Sequence, residues 1–405
     1  MISTKDYYWQ LIGIKKMLSD MASETIVYIG GFELPDRNAA AHRVLGNAKS
    51  LRSIGYNVVL IGIDKDLEFS EKTRVSIQNF DSWLTYYPKN FIQWSRYLFD
   101  IKDFLDIIKK YSNVKAVVCY NYQAAANFKI LKYCRKNHIK IIADCSEWYS
   151  VKGNSIIFKI IKSIDTFTRM QIVNRNLDGI IVISRYLENI YKNCKNVVLI
   201  PPLVDKSEMK WSNIKKNGKV IEIVYVGSPG RNKDKIDIVV ENLHKIRNKY
   251  NFVFKIIGIT EIDYLSYYPN HRKIIFELNE KIQFEGHLTH IQSLSNLKNA
   301  DYSIFFRNNS RLTNAGFPTK LVESLSCGTP VITNLTSNIQ DYLINGNNSY
   351  ILEDMNTKKI QNLFENILDE NAKKIEVSDS NGLTMFDYTN FTEKIRKFIN
   401  RVITP

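Results

Sequence analysis

The stretch from Asn314 to Asn334, NAGFPTKLVESLSCGTPVITN, carries residue types suited to holding a phosphate group. Pro318 suits the first turn of a helix and Gly328 its C-terminal cap, so a helix is predicted from about Pro318 to Cys327. The preceding run DYSIFF reads as a strand, so the N–H groups of Thr319 and Lys320 and the positive end of the helix dipole face a site where a diphosphate can bind. Lys320 adds a full positive charge. Glu323, one turn further in, offers a carboxylate that can accept hydrogen bonds from two ribose hydroxyls. A solvated helix glutamate has the same spacing, and both readings stand on the residues alone.

Two other places have suitable chemistry. The strand IIADCSEWYS ends in Asp144 and Glu147, carboxylates that can position an acceptor hydroxyl or stabilise developing positive charge, or else cap the next helix. Glu147 is the first choice and Asp144 the second. Gly30 and Gly31 follow the run TIVYIG, where the missing side chains allow a backbone to approach a ligand, or simply make a tight strand-to-helix turn. No GxGxxG, GxSxG or Walker loop is present, and no His/Cys group has metal-ligand spacing, so no cofactor and no metal are expected.

The elements that position these residues are legible as apolar runs. TIVYIG, NVVLIGI, VKAVVCY, IKIIADC and LDGIIVIS alternate with helical stretches, and such continuous runs suit parallel strands covered on both faces. After Asp205 the segment KSEMKWSNIKKNGK loses apolar periodicity, and beyond it alternation resumes through IEIVYVG, VFKIIG, KIQFEG, DYSIFF and PVITN. The expectation is an α/β protein with two Rossmann-like domains: residues 1–24 as an extension, 25–205 and 206–385 as the domains, and 386–405 as a terminal amphipathic helix. Ligands of such sheets lie beyond the carboxyl ends of the strands, which favours the cleft between two such domains.

The segment around Glu323 resembles the signature region of family 4 GT-B glycosyltransferases (glycosyltransferase group 1), where an acid, a Pro/Phe/Gly loop, a second acid and ACGTPV follow one another. Glu323 matches the second acid, and Ser326-Cys327-Gly328-Thr329-Pro330-Val331 matches the tail. The resemblance covers nearly the whole chain from about residue 25. It implies that Glu323 holds the ribose of a nucleotide sugar, that the loop amides around Phe317 hold its diphosphate, and that the second domain binds this donor while the first receives the acceptor. The terminal helix would pack back toward the first domain. The first acid is replaced by Ala315, so Asn314 or the Gly316 backbone would have to grip the sugar. In YVGSPGRNKDKIDIVVENL the resemblance implies a donor-side turn at Ser228 and a basic pair that neutralises the leaving diphosphate, best matched by Arg231 and Lys233, with Lys235 the alternate. The form GFPTKLVE is similar to members that build bacterial capsule or exopolysaccharide. A retaining, metal-independent transfer of a hexose-type sugar to a glycan or lipid-linked acceptor is therefore expected. Ser184 is assigned only the capping of the helix that begins near Arg185.

Lys plus Arg number 56 against 41 Asp plus Glu, a balance of +15 that suits polyanions of several kinds. The basic residues are dispersed and no nucleic-acid module appears, so nucleic acid is the weakest partner. Aromatic and basic residues mix between residues 80 and 111, which reads as an amphipathic helix packed on the sheet or resting on an anionic membrane. Five scattered cysteines without a CxxC pair, an opening segment broken early by charges and no long apolar window point to a cytoplasmic protein, peripheral on the membrane at most. Two rivals remain beside transfer: a nucleotide-sugar epimerase of the same fold, and a non-catalytic partner subunit.

Overall fold

The computed structural model describes residues 24–148, 156–212, 220–231, 233–369 and 374–404. The chain divides into two compact units, one made of Met1–Val182, Glu188–Ile200 and Phe391–Pro405, the other of Ile183–Leu187 and Pro201–Asn390.

In the first unit, strands β1 (Thr25–Gly30), β2 (Asn57–Asp64), β3 (Lys72–Ile77), β4 (Phe80–Tyr86), β5 (Val114–Tyr120), β6 (Lys140–Cys145), β7 (Gly179–Val182) and β8 (Val197–Leu199) form one sheet in the order β3-β4-β2-β1-β5-β6-β7-β8. All neighbours run parallel except β3 and β4. β1 buries every one of its residues, as its unbroken apolar run requires. Between these strands lie α1 (Ala39–Ser53), α2 (Phe91–Phe99), α3 (Lys102–Ile108), α4 (Ala124–Lys136) and α5 (Ile156–Thr168), and α6 (Arg185–Tyr191) falls to this unit only from Glu188. Chain order reverses across the β1/β5 pair, so Gly30 and Gly31 stand at the switch point of this sheet.

The stretch 80–111 is not one amphipathic helix. It begins as β4, which turns back on β3 through Gln78 and Asn79, both with positive φ (50° and 61°), and only then forms the short helices α2 and α3. A two-residue turn of this kind takes its twist from left-handed residues, and an asparagine adopts that conformation at low cost.

In the second unit the elements run β9 (Ile221–Val226), α7 (Ile236–Ile246), β10 (Phe252–Ile257), α8 (Glu261–Tyr267), α9 (Arg272–Leu278), β11 (Ile282–Gly286), α10 (His290–Asn299), β12 (Tyr302–Phe305), α11 (Arg311–Ala315), α12 (Thr319–Ser326), β13 (Val331–Asn334), β14 (Ser349–Leu352) and α13 (Thr357–Leu368). Their strands form a parallel sheet in the order β11-β10-β9-β12-β13-β14, whose switch point is the β9/β12 pair.

Helix α14 (Thr392–Ile403) belongs to the first unit, where it packs on α1 and β8. Gly179 makes room for it, because a Cβ there would lie 2.8 Å from Phe398 Cζ and from a Val402 methyl. Among the described residues no helix is long and apolar enough to cross a membrane.

Candidate functional site

At the carboxyl ends of β9 and β10, two backbone turns are pressed together. Gly227 (φ +116°) and Gly258 (φ +103°) both adopt left-handed conformations, and a Cβ on Gly258 would fall 2.6 Å from the Gly227 carbonyl group. A side chain at Gly258 would push these loops apart, and one at Gly227 would collide with Lys320, whose Nζ would lie 2.7 Å from its Cβ.

Beside this turn lies a buried ionic cluster drawn from four elements. Asp234, at the mouth of α7, places Oδ1 2.7 Å from Arg307 Nε and Oδ2 2.9 Å from Lys320 Nζ, and Oδ2 also accepts from the Tyr225 hydroxyl at 2.7 Å. Arg307 follows β12, Lys320 stands in the first turn of α12, and Tyr225 comes from β9, so the cluster straddles the switch point. Side-chain exposure is 0% for Asp234, 6% for Arg307 and 11% for Lys320, so these charges have little water to stabilise them. Among the described residues Asp234 is the only carboxylate within ion-pairing distance of either cation. With Tyr225 neutral, the cluster therefore carries one unbalanced positive charge. Burial works against ionisation of Asp234, but Lys320 and Arg307 hold its carboxyl below the usual range. Burial, reinforced by repulsion from Arg307 and Lys233 and only partly offset by Asp234, lowers the Lys320 ammonium to about 8.

The expected signature residues lie along α12 and on the turn after β9. Pro318 occupies the N-cap of α12 and Cys327 its C-cap, and the first intrahelical bond runs from Leu321 N to the Pro318 carbonyl, so the Thr319 and Lys320 amides precede it. Ser228 is exposed on the turn after β9. Glu323 is partly exposed, with Oε1 3.4 Å from His290 Nε2 at the start of α10, and the His290 ring meets Trp211 edge-on at 6.2 Å. The tail of the motif and the helix before it do core work: Thr329 Oγ1 donates to the Leu297 carbonyl at 2.6 Å and Ser324 Oγ to Ser303 Oγ at 2.8 Å.

Other expected residues have different surroundings. Arg231 and Lys233 are exposed, and Lys235 Nζ lies 3.4 Å from Asp237. Asn314 uses its amide on Asn309 (2.7 Å) and accepts from Ser337 N (2.8 Å), while Phe317 is buried edge-on against Tyr342 at 5.5 Å. Gly316 is the C-cap of α11. Ala315 is fully buried, and its carbonyl accepts from Ser184 Oγ at 2.8 Å, the same hydroxyl that caps α6 through Leu187 N. The backbone is engaged as well: Asn314 N donates to the Ser310 carbonyl at 2.9 Å and Gly316 N to the Leu312 carbonyl at 3.3 Å.

In the first unit Asp144 is built into the core. Arg43 contacts its carboxylate through Nε (2.9 Å) and Nη2 (2.6 Å), and Tyr28 and Asn47 donate to its other oxygen. With no exposure of its own, Asp144 has its charge met by Arg43 and cannot reach a ligand. Glu147, beyond the end of β6, is exposed. Gly30 approaches Tyr120 so closely that a Cβ would lie 2.7 Å from it, while at Gly31 the nearest atom among the described residues, Tyr97 Oη, would be 3.9 Å away. Nothing in the sequence spacing marked Asp234, Arg307 or His290. The one available signal was that Arg307 directly follows a strand run, at its carboxyl end.

Residues 205–382 match the model of Glycosyl transferases group 1. No curated protein was found that matches the chain in sequence. Among solved structures, sucrose-phosphate synthase from Thermosynechococcus elongatus is similar at TM-score 0.70 and 14% identity, covering 94% of this chain and 99% of that one. The catalytic domain of starch synthase IV from Arabidopsis thaliana, bound to ADP and acarbose, gives TM-score 0.69 at 8% identity over 95% and 100% of the two chains. Anabaena HepE in complex with UDP-glucose gives 0.62 at 11% over 93% and 99%. The chain has the GT-B fold, and its residues 205–382 are similar to glycosyl transferases group 1.

Proposed function

We propose that the protein is a retaining, metal-independent glycosyltransferase that moves a hexose-type sugar from a nucleoside-diphosphate donor to a glycan or lipid-linked acceptor, in the synthesis of a bacterial surface polysaccharide. The observation that carries this reading is the positively unbalanced cluster of Lys320, Arg307 and Asp234 at the N-terminus of α12, inside the segment similar to glycosyl transferases group 1. A diphosphate is the kind of group that such a place stabilises. As the bond from the sugar C1 to the phosphate oxygen breaks, its electron pair stays on the diphosphate, where Lys320 and the α12 amides stabilise the added charge. The acceptor oxygen bonds C1 from the same face, and its proton leaves with the diphosphate. Glu323 is assigned the donor ribose and Glu147 the acceptor hydroxyl.

UDP- and ADP-containing relatives make UDP-, ADP- and GDP-sugars the first donors to test. Thermal shift with each donor, followed by transfer of labelled sugar, tests the assignment. A specific donor should raise Tm by mass action, and no shift with any of them would overturn the reading. One observation favours a second reading: Ala315 is buried where an acid is expected, which suits a non-catalytic partner subunit. That reading predicts intact polysaccharide synthesis in cells carrying Lys320→Met.

Contact with an anionic membrane is part of the proposal. Its support is α5, which buries Thr166 while Ile156 (74% exposed), Ile164 (60%) and Phe167 (62%) point outward on one stripe. Exposed Lys129 and Lys132 on the adjoining α4 supply charge complementary to anionic lipid.

A further inference from the structure

We infer that Asp234 is a positioning residue for the donor diphosphate: by bridging Lys320 and Arg307 it fixes both cations at the switch point and leaves one positive charge for the leaving group. The inference rests on the donor reading above and adds to it a residue that touches no substrate.

The argument begins with charge balance. A buried ion pair is stable when each charge has a partner, and two cations on one carboxylate leave the second cation incompletely compensated. Such an arrangement persists when a further anion completes it. The cluster lies where one can: α12 begins there, its first amides directed outward from the helix, and Lys320 Nζ lies directly beneath the turn at Gly227, 2.7 Å from where a Cβ would be. Backbone bonds fix the geometry further. Asp234 N donates to the Pro229 carbonyl at 3.1 Å, Lys235 N to the Phe306 carbonyl at 2.8 Å, and Arg307 N to Asn334 Oδ1 at 2.8 Å. Asp234 is thus held on both sides and cannot follow a moving lysine; the lysine must come to it.

The charged groups facing Lys320 are Asp234 and Lys233 from the turn after β9 and Arg307 from the end of β12, with the Tyr225 ring 4.9 Å below the ammonium. Lys320 is an ammonium below about pH 8 and loses its proton above it. Nucleoside diphosphate affinity and kcat/KM should therefore fall on the alkaline side in the wild type. Asp234→Asn removes the attraction while leaving the repulsion from Arg307 and Lys233, so the alkaline limb should move down by about one pH unit or more. Arg307→Gln removes a repulsion, so the limb should move up even as affinity at neutral pH falls. Asp234→Glu restores the charge and should bring the limb back toward the wild type.

The test is calorimetric titration of wild type and the three variants with UDP, ADP and GDP between pH 7 and 9.5, with Tm as a fold control. Opposite displacements of the limb in Asp234→Asn and Arg307→Gln support the inference, and a residue that served stability alone would not produce them. If the wild type binds a nucleotide and neither variant moves the limb, the inference fails while the donor reading survives. If the wild type binds none of the three, both fail. Should Asp234→Asn not fold, the upward displacement in Arg307→Gln decides, and its absence overturns the proposal.

Discussion

Each unit holds a buried carboxylate near the carboxyl end of its sheet, and the two are built to different ends. In the first, Asp144 meets one cation, Arg43, whose Nη1 also donates to the Ile200 carbonyl at 2.9 Å, and Tyr28 and Asn47 complete the carboxylate. Positive and negative charge cancel, and neither side chain is more than 2% exposed. In the second, Asp234 meets two cations and the sum is positive. A buried charge is therefore no sign of a site by itself. The sign is a cluster whose balance needs another ion.

Breaking each cluster should have opposite consequences. The largest effect is expected from Lys320→Met, which should lower kcat/KM for sugar transfer by about 100-fold or more, as when a charge-stabilising group is lost from a transition state, with little loss of Tm. Asp144→Ala should do the reverse. It strands Arg43 in the core and should cost about 3–5 kcal/mol of stability, read from denaturant unfolding, while leaving nucleotide affinity of the folded fraction unchanged. Between these lies Glu323→Gln, which should weaken a ribonucleotide by about tenfold and a 2′,3′-dideoxyribonucleotide very little, if the carboxylate holds the ribose. The smallest effect on catalysis belongs to the double change Ile164→Asp and Phe167→Asp on α5. Sedimentation with phosphatidylglycerol vesicles should lose the variant but retain the wild type, and transfer to a water-soluble acceptor should be unchanged. Equal binding of both proteins would remove α5 from the membrane contact.

The same contrast separates what could be read from the sequence from what could not. β1, β5 and β9 were legible because a strand covered on both faces is an unbroken apolar run, and α12 because Pro318 and Gly328 punctuate it. Asp144 and Glu147 looked alike as carboxylates at a strand end; only the arrival of Arg43 from α1, 101 positions earlier, separates them. Arg307 and Asp234 stand 73 positions apart, and no local spacing foretells that a strand end and a helix mouth will pair. The β3–β4 hairpin was hidden because Phe80–Tyr86 runs into the aromatic residues of α2 with its turn formed by Gln78 and Asn79, a weak signal beside Asn-Gly.

The central claim is that the unbalanced cluster at α12 receives a nucleoside diphosphate. Its most direct test is a calorimetric titration of UDP, ADP and GDP into wild type and Lys320→Met at pH 7. Binding of at least one of them by the wild type, weakened tenfold or more in the variant, is the predicted result. No binding by the wild type, or equal binding by both, would contradict it.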